Sequence, residues 1–126
     1  MAIALPKQIK IGAHTYNVSF PHVFCDNHMG VGNKDFCEIK VAAGFDGKEY
    51  PGTVVLSTFI HEILHQIDLL FALGLFAHDG SVEDESKINA LAESVTQMVL
   101  DNGWLPKEWR EKDEADERLG MAKPIT

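Results

Sequence analysis

Residues 56–71 read LSTFIHEILHQIDLLF, and this stretch sets what the rest of the chain is expected to form. Thr53, which follows Pro51-Gly52, is expected to cap the start of a helix here, and Gly74 to end it. One side of that helix is apolar, because hydrophobic residues recur at helical spacing: Leu56, Ile60, Ile63, Leu64, Ile67, Leu70 and Phe71. This side is expected to face a core and the other side to stay open.

Two histidines, His61 and His65, lie four residues apart on the polar side of this helix. Residues at this spacing share one helix face, so both imidazoles can reach one metal ion. Glu62 lies about 100° further round the helix, where a carboxylate can take a proton from a water that the metal activates. The pattern predicts a catalytic zinc (Zn2+) site with two histidine ligands and Glu62 as general base. The alternative is a helix that carries two surface histidines.

Composition limits the classes of protein to consider. The 126 residues are enough for one domain and too few for two. No stretch approaches the ~18 apolar residues of a membrane span, and the N-terminus lacks a signal-peptide pattern, so an intracellular protein with no membrane partner is expected. A net charge of −8 argues against nucleic acid as a partner.

The first half of the chain is expected to be rich in strands. Residues 9–11 and 16–20 alternate apolar and polar side chains, as in a hairpin, and residues 37–41 repeat the pattern as a third strand. Residues 30–35 and 42–52 carry the glycine, asparagine and proline residues typical of loops. The prediction is an α+β fold with a small three-stranded, mostly antiparallel sheet packed on the motif helix and a second helix that bears a glutamate.

That second helix is expected to begin after Ser81, in a sequence resembling a capping box, and to stop at Asn102-Gly103. After it, residues 106–119 are expected to form a solvated, charge-rich helix anchored by tryptophans. The chain is therefore expected to be one domain, with a strand-rich part in 1–52, two metal-site helices in 53–103 and a charged segment in 104–126.

A catalytic zinc site usually has three protein ligands, so a third must come from elsewhere. Glu85 lies about 75° from the centre of the apolar side of the second helix, whereas Glu93 points about 155° away. Glu85 is therefore the predicted third ligand. Glu93 and His78, which lies between the two helices, remain alternatives.

Two polar residues are expected to orient the ligands. Asp68 lies one turn beyond His65 on the same face, and a ligating imidazole usually donates its second N–H to such an acceptor. Asn89 lies one turn after Glu85 and is expected to act similarly. Tyr50, His78 and backbone N–H groups are the candidates for stabilising an oxyanion.

Taken together, these features resemble the small zincin-like metallopeptidases called minigluzincins, especially the phage-encoded and ImmA/IrrE-type proteins. The similar segments are residues 9–12, 37–41, 61–65 and 85–92, the last being similar to the pattern E-x-x-A-N-x-F-A. The chain has Ile and Leu in place of Ala and Phe in that pattern, and the gap from His65 is shorter than usual. Glu93 would restore the longer gap, and a SprT-like pattern would instead favour His78.

The resemblance implies a zincin-like fold in which an edge strand holds an extended peptide. It implies a zinc-dependent metallopeptidase that hydrolyses peptide bonds in a peptide or protein substrate, in the host cytoplasm if the protein is phage-encoded. The first alternative is a catalytically silent zinc-binding regulatory or interaction protein on the same scaffold. A plain interaction domain without metal is the second.

Overall fold

The computed structural model describes residues 3–21 and 29–110, and these residues form an α+β arrangement of a mixed four-stranded sheet, a two-stranded sheet and two helices. The α+β class is thus confirmed. In chain order the elements are β1 (Gln8–Ile11), β2 (His14–Ser19), β3 (Gly30–Asn33), β4 (Glu38–Val41), β5 (Gly44–Phe45), β6 (Lys48–Glu49), α1 (Gly52–Leu70) and α2 (Val82–Asp101).

The predicted hairpin is confirmed as β1 and β2, which pair antiparallel from Gln8 opposite Asn17 to Ile11 opposite His14. Gly12 has a φ of 60° and supplies the left-handed backbone that this two-residue turn needs. The strand order is β1-β2-β4-β3, with β2 and β4 parallel and the other two pairs antiparallel. The expected sheet of three strands is therefore wrong by one, because β3 lies in a segment that was expected to be a loop.

The sequence does not predict β3 as a strand because it contains Gly30 and Gly32. Glycine is depleted in strands and contributes no alternating side chain. The two glycines are required because β3 crosses close to α1. A Cβ atom on Gly30 would lie 2.8 Å from Cγ of Glu62, and one on Gly32 would overlap the side-chain amide of Gln66. Only a strand without side chains at these positions can approach the helix this closely.

The connecting loop expected at residues 42–52 also contains strands, because β5 and β6 form a two-stranded hairpin there. Its turn is Asp46-Gly47, and both residues have a positive φ, of 52° and 77°. Asp-Gly is a strong sequence indication of such a turn, although two-residue strands give too little alternation to be recognised.

The core lies between the sheet and α1, where the alternating residues of β2 and β4 meet the helix. Its buried members are Ile11, Tyr16, Val18, Ile39, Val41 and Phe59.

α1 begins at Gly52, with Pro51 at the cap position, so the expected cap at Thr53 is wrong. It ends at Leu70, four residues before Gly74, because Ala72 turns the chain with a φ of 50°.

The second helix is confirmed, with Ser81 at its N-cap position and Asn102 at its C-cap position. Ser81 makes no side-chain cap hydrogen bond, so the expected capping box is not formed. A further helix was predicted for residues 106–119. Of these residues, Lys107–Trp109 form one 3-10 turn, and those after Arg110 fall outside the described residues. Within residues 3–21 and 29–110, neither helix has the length and apolar character that crossing a membrane requires.

Candidate metal centre

The two helices bring three ligand-type side chains to one point. His61 and His65 lie one turn apart on α1, and Glu85 lies in the first turn of α2. The Nε2 atom of His61 is 3.0 Å from one carboxylate oxygen of Glu85, and Nε2 of His65 is 3.1 Å from the other. The two Nε2 atoms are 3.2 Å apart. The residues expected from sequence to share an ion are therefore adjacent.

These separations suit a small tetrahedral cation. Ligands held at about 2.0–2.1 Å from a zinc ion at tetrahedral angles lie about 3.3 Å from one another, close to the spacing in this cluster. Two imidazoles and one carboxylate are also the donor set of one class of catalytic zinc sites. Within the described residues, His61, His65 and Glu85 are the group whose arrangement could hold a metal ion.

The imidazole of His65 is suited to ligation because burial lowers its pKa and disfavours the imidazolium. The negative charge of Glu85 raises this pKa, whereas the neighbouring His61 and His78 lower it further. The net effect is a lowered pKa, and the neutral ring is the form that donates a lone pair to a metal.

Glu62 lies beside the cluster and is not part of it. Its carboxylate oxygen is 3.9 Å from Nε2 of His61, and only 7% of the residue is exposed. Burial raises the pKa of this carboxyl group to about 7, and the negative charge of Glu85 acts in the same direction. A carboxyl group with such a pKa can both accept and release a proton near neutral pH.

Asp68 is buried, with 3% of the residue exposed, and it contacts His78 rather than either motif histidine. Its carboxylate accepts hydrogen bonds from the backbone N–H groups of Leu75 and Phe76, at 2.9 and 3.0 Å. Burial raises its pKa, but the bonds from Leu75, His78 and Phe76 together hold the pKa below its usual value. His78 in turn reaches His65, with 2.7 Å between their Nδ1 atoms. Asp68 is thus linked to a ligand through one intervening residue.

Glu93, Asn89 and Tyr50 make no hydrogen bond to His61, His65 or Glu85 within the described part of the chain. Glu93 lines the same cleft, but its carboxylate accepts a 2.6 Å hydrogen bond from the hydroxyl of Ser57. Asn89 also lines the cleft, and in the described part of the chain it makes no hydrogen bond to Glu85. Tyr50 does not line the cleft. Geometry therefore favours Glu85 over Glu93 as the third residue of the cluster.

A cleft of about 600 Å³ opens in front of the three residues and is bounded by β3, α1 and α2. Gly30 and Gly32 form part of its wall, and so does Gln66, whose Oε1 accepts a 2.9 Å hydrogen bond from the buried hydroxyl of Tyr16. These wall residues were not recognised in the sequence. The alternating glycines at 30 and 32 were the one available indication that a strand approaches the motif helix.

Comparison with models of protein families, with curated proteins and with solved structures gives no match to this chain. The interpretation of the cluster therefore depends on its geometry and on the chemistry of its side chains. The resemblance to minigluzincins stays a prediction.

Proposed function

We propose that this chain is a zinc-dependent metallopeptidase with a zincin-like fold. One observation carries the proposal: the Nε2 atoms of His61 and His65 and the two carboxylate oxygens of Glu85 lie at separations close to those in a zinc coordination shell, and the buried carboxyl group of Glu62 lies beside them. The peptide or protein substrate would occupy the cleft in front of this cluster. A protein that only binds zinc would need the three ligands. It would not need a buried carboxyl group with a raised pKa, such as that of Glu62, next to them.

When bound, zinc would supply a Lewis acid that polarises the peptide carbonyl and lowers the pKa of a water molecule. Glu62 would accept the proton of the water that attacks the carbonyl carbon, and it would later deliver this proton to the nitrogen of the departing amine. Both transfers need a carboxyl group that changes protonation near neutral pH. Burial of Glu62 between α1 and β3 provides this property.

The free edge of β3 suits an extended substrate backbone. Ala42 donates its backbone N–H to the carbonyl of Met29, and the antiparallel register continues from there with Val31 opposite Lys40. Because bonded pairs alternate in an antiparallel ladder, the peptide groups of Gly30 and Gly32 point away from β4. Among the described residues β3 is an edge strand, so these groups are available to a peptide that adds as a further strand.

The resemblance to minigluzincins agrees with this arrangement, since the similar segment at residues 85–92 favours Glu85 as the third ligand, with Glu93 as the alternative. The short gap between His65 and Glu85 is accommodated by the residues between the helices. They turn the chain with positive φ values at Ala72, Gly74, His78 and Gly80, which allows α2 to start beside the motif. The longer gap that Glu93 would provide is not needed for a carboxylate to reach both histidines.

The test compares wild type with Glu62→Gln in zinc content and in cleavage of a diverse peptide library. Glu93→Gln is the matched control, because it removes a second carboxylate from the same cleft and keeps the oxygen that accepts the Ser57 hydroxyl. We expect zinc in all three proteins, cleavage by wild type and Glu93→Gln, and a loss of about 100-fold or more in Glu62→Gln. Equal activity in wild type and Glu62→Gln would refute the assigned base. Zinc without cleavage by wild type would favour a silent zinc-binding protein.

A further inference from the structure

Asp68, His78 and His65 form a continuous chain of hydrogen bonds that ends at the metal cluster. Oδ2 of Asp68 is 2.5 Å from Nε2 of His78, and Nδ1 of His78 is 2.7 Å from Nδ1 of His65. The remaining ring nitrogen of His65, Nε2, faces Glu85. Each imidazole thus uses both of its nitrogens, and each contact in the chain needs one proton.

We propose that Asp68 acts through His78 to fix the proton of His65 on Nδ1, so that the lone pair of Nε2 is always directed at the metal position. His78 is then a positioning residue for His65. This inference rests on the proposed zinc site for its purpose, but the proton positions can be measured without zinc.

The donors and acceptors along this chain of hydrogen bonds determine where each hydrogen lies. The ionised carboxylate of Asp68 can only accept, so Nε2 of His78 must carry a hydrogen. A neutral imidazole has one N–H, so Nδ1 of His78 is then an acceptor. With His78 neutral, Nδ1 of His65 is therefore the donor in the contact between the two rings, whereas an imidazolium at position 78 would donate to His65 instead. A neutral His65 with its hydrogen on Nδ1 has a free lone pair on Nε2.

Asp68 is held in its accepting role by its surroundings. The backbone N–H groups of Leu75 and Phe76 both point at its carboxylate, which is 3% exposed, so the charged form is the one that satisfies every donor. A protonated carboxyl group would place its own O–H hydrogen among these donors.

The backbone of His78 provides an independent observation. Its φ is 58°, in the left-handed region that side chains other than glycine seldom adopt. Such conformations are unfavourable, and they persist where the surrounding contacts require them. Here the strained backbone directs the imidazole between Asp68 and His65, and the hydrogen bond from the N–H of Ala77 to Asp84 holds the adjoining peptide.

Glu85 favours a different position for the hydrogen of His65. In metal-free protein its carboxylate would favour a hydrogen on Nε2 of His65, which is 3.1 Å away, and so would favour the opposite tautomer. The chain through His78 and the carboxylate of Glu85 thus require different proton positions on the same ring. The tautomer of His65 in metal-free protein therefore distinguishes the two arrangements.

The experiment is nitrogen NMR of histidine-labelled, metal-free protein at pH about 8, well above the ordinary histidine pKa of about 6.5. We expect the hydrogen of His65 on Nδ1 in wild type, and a coupling across the N–H···N bond to His78. A hydrogen on Nε2 of His65 in wild type would overturn the proposal, whether or not the protein binds zinc.

Two variants separate positioning from a merely structural role. His78→Gln keeps an acceptor for His65 and a donor for Asp68, so it should preserve the tautomer and zinc affinity. His78→Phe has neither group, so His65 should move its hydrogen to Nε2, and zinc should bind about 10- to 100-fold more weakly. An unchanged tautomer in folded His78→Phe would contradict the proposal. If that variant does not fold, the wild-type tautomer still decides. Failure of the proposed enzyme would appear separately, as absence of zinc or of cleavage.

Discussion

The backbone of Gly30 lies directly against the side chain of Glu62: a Cβ atom at position 30 would be 2.8 Å from Cγ and 2.9 Å from Oε2 of the glutamate. An edge strand and the assigned base are thus in contact along a surface that has no room for a methyl group. The position of the Glu62 carboxylate depends on a glycine 32 residues earlier in the chain.

Gly30→Ala should therefore displace Glu62 and reduce kcat/KM. The φ of Gly30 is not in the left-handed region, so alanine is excluded by the neighbouring side chain and not by backbone strain. A shift of about 1 Å at a reacting group can cost about 100-fold in rate, and overpacking costs about 1–3 kcal/mol in stability. Peptidase kinetics, zinc content and urea unfolding check this. Zinc content should be unchanged, because Glu62 is not a ligand, and full activity would contradict the prediction.

The raised pKa of Glu62 predicts that metal-free protein loses stability as pH rises. In the unfolded chain this carboxyl group has its ordinary pKa of 4.5, and in the folded protein its pKa is raised to about 7. Between these values the folded state binds more protons, so the free energy of unfolding falls as pH increases through this window. The full difference corresponds to about 3 kcal/mol.

Urea unfolding of metal-free wild type and Glu62→Gln at several pH values between about 4 and 8 measures this contribution, because this range extends about half a unit below and about one unit above the window. Wild type should lose stability relative to the variant as pH rises, because glutamine does not ionise. A difference between the two proteins that stays constant with pH would show that the buried carboxyl group does not titrate in this range.

Both helices end in the same hydrogen-bonded motif, but with different residues at its left-handed position. After α1, the N–H of Leu73 bonds the carbonyl of Asp68, with Ala72 at a φ of 50°. After α2, Trp104 bonds Val99, with Gly103 at a φ of 67°. Glycine is preferred at this position because it lacks the Cβ that makes the conformation unfavourable.

Ala72→Gly should therefore stabilise the protein by about 1 kcal/mol, and Gly103→Ala should destabilise it by about the same amount. The midpoint of urea unfolding measures both changes, with an unchanged slope showing that the folded and unfolded states are otherwise the same. Ala72 is exposed, so the lost methyl group should have little effect of its own. A less stable Ala72→Gly variant would mean that this turn is held by contacts beyond its backbone.

Sequence analysis predicted the parts of the molecule that depend on local periodicity. His61 and His65 share a helix face because of their spacing, and Glu85 was favoured because the direction of a helical residue relative to the apolar side can be calculated. The hairpin of β1 and β2 followed from alternation and from Gly12, and the structure confirms it.

The parts that it missed depend on contacts between distant segments. β3 is a strand because it pairs with β4 and passes over Glu62 and Gln66, and its glycines have no β propensity of their own. The contact between Asp68 and His78 depends on a left-handed backbone at His78, for which the residue type gives only a weak indication. The same analysis placed Asp68 beside a motif histidine, and the structure inserts His78 between them.

Calorimetric titration of zinc into metal-free protein, prepared without a histidine tag, tests the central claim most directly when wild type is compared with Glu85→Gln and Glu93→Gln. We predict one zinc ion per chain in wild type and in Glu93→Gln. Loss of a hydrogen-bond partner of a ligand typically weakens metal binding about 10- to 100-fold. Because Glu85 is a predicted ligand itself, the zinc affinity of Glu85→Gln should fall by more than this. Absence of zinc binding by wild type, or a loss in Glu93→Gln with none in Glu85→Gln, would contradict a site built from His61, His65 and Glu85.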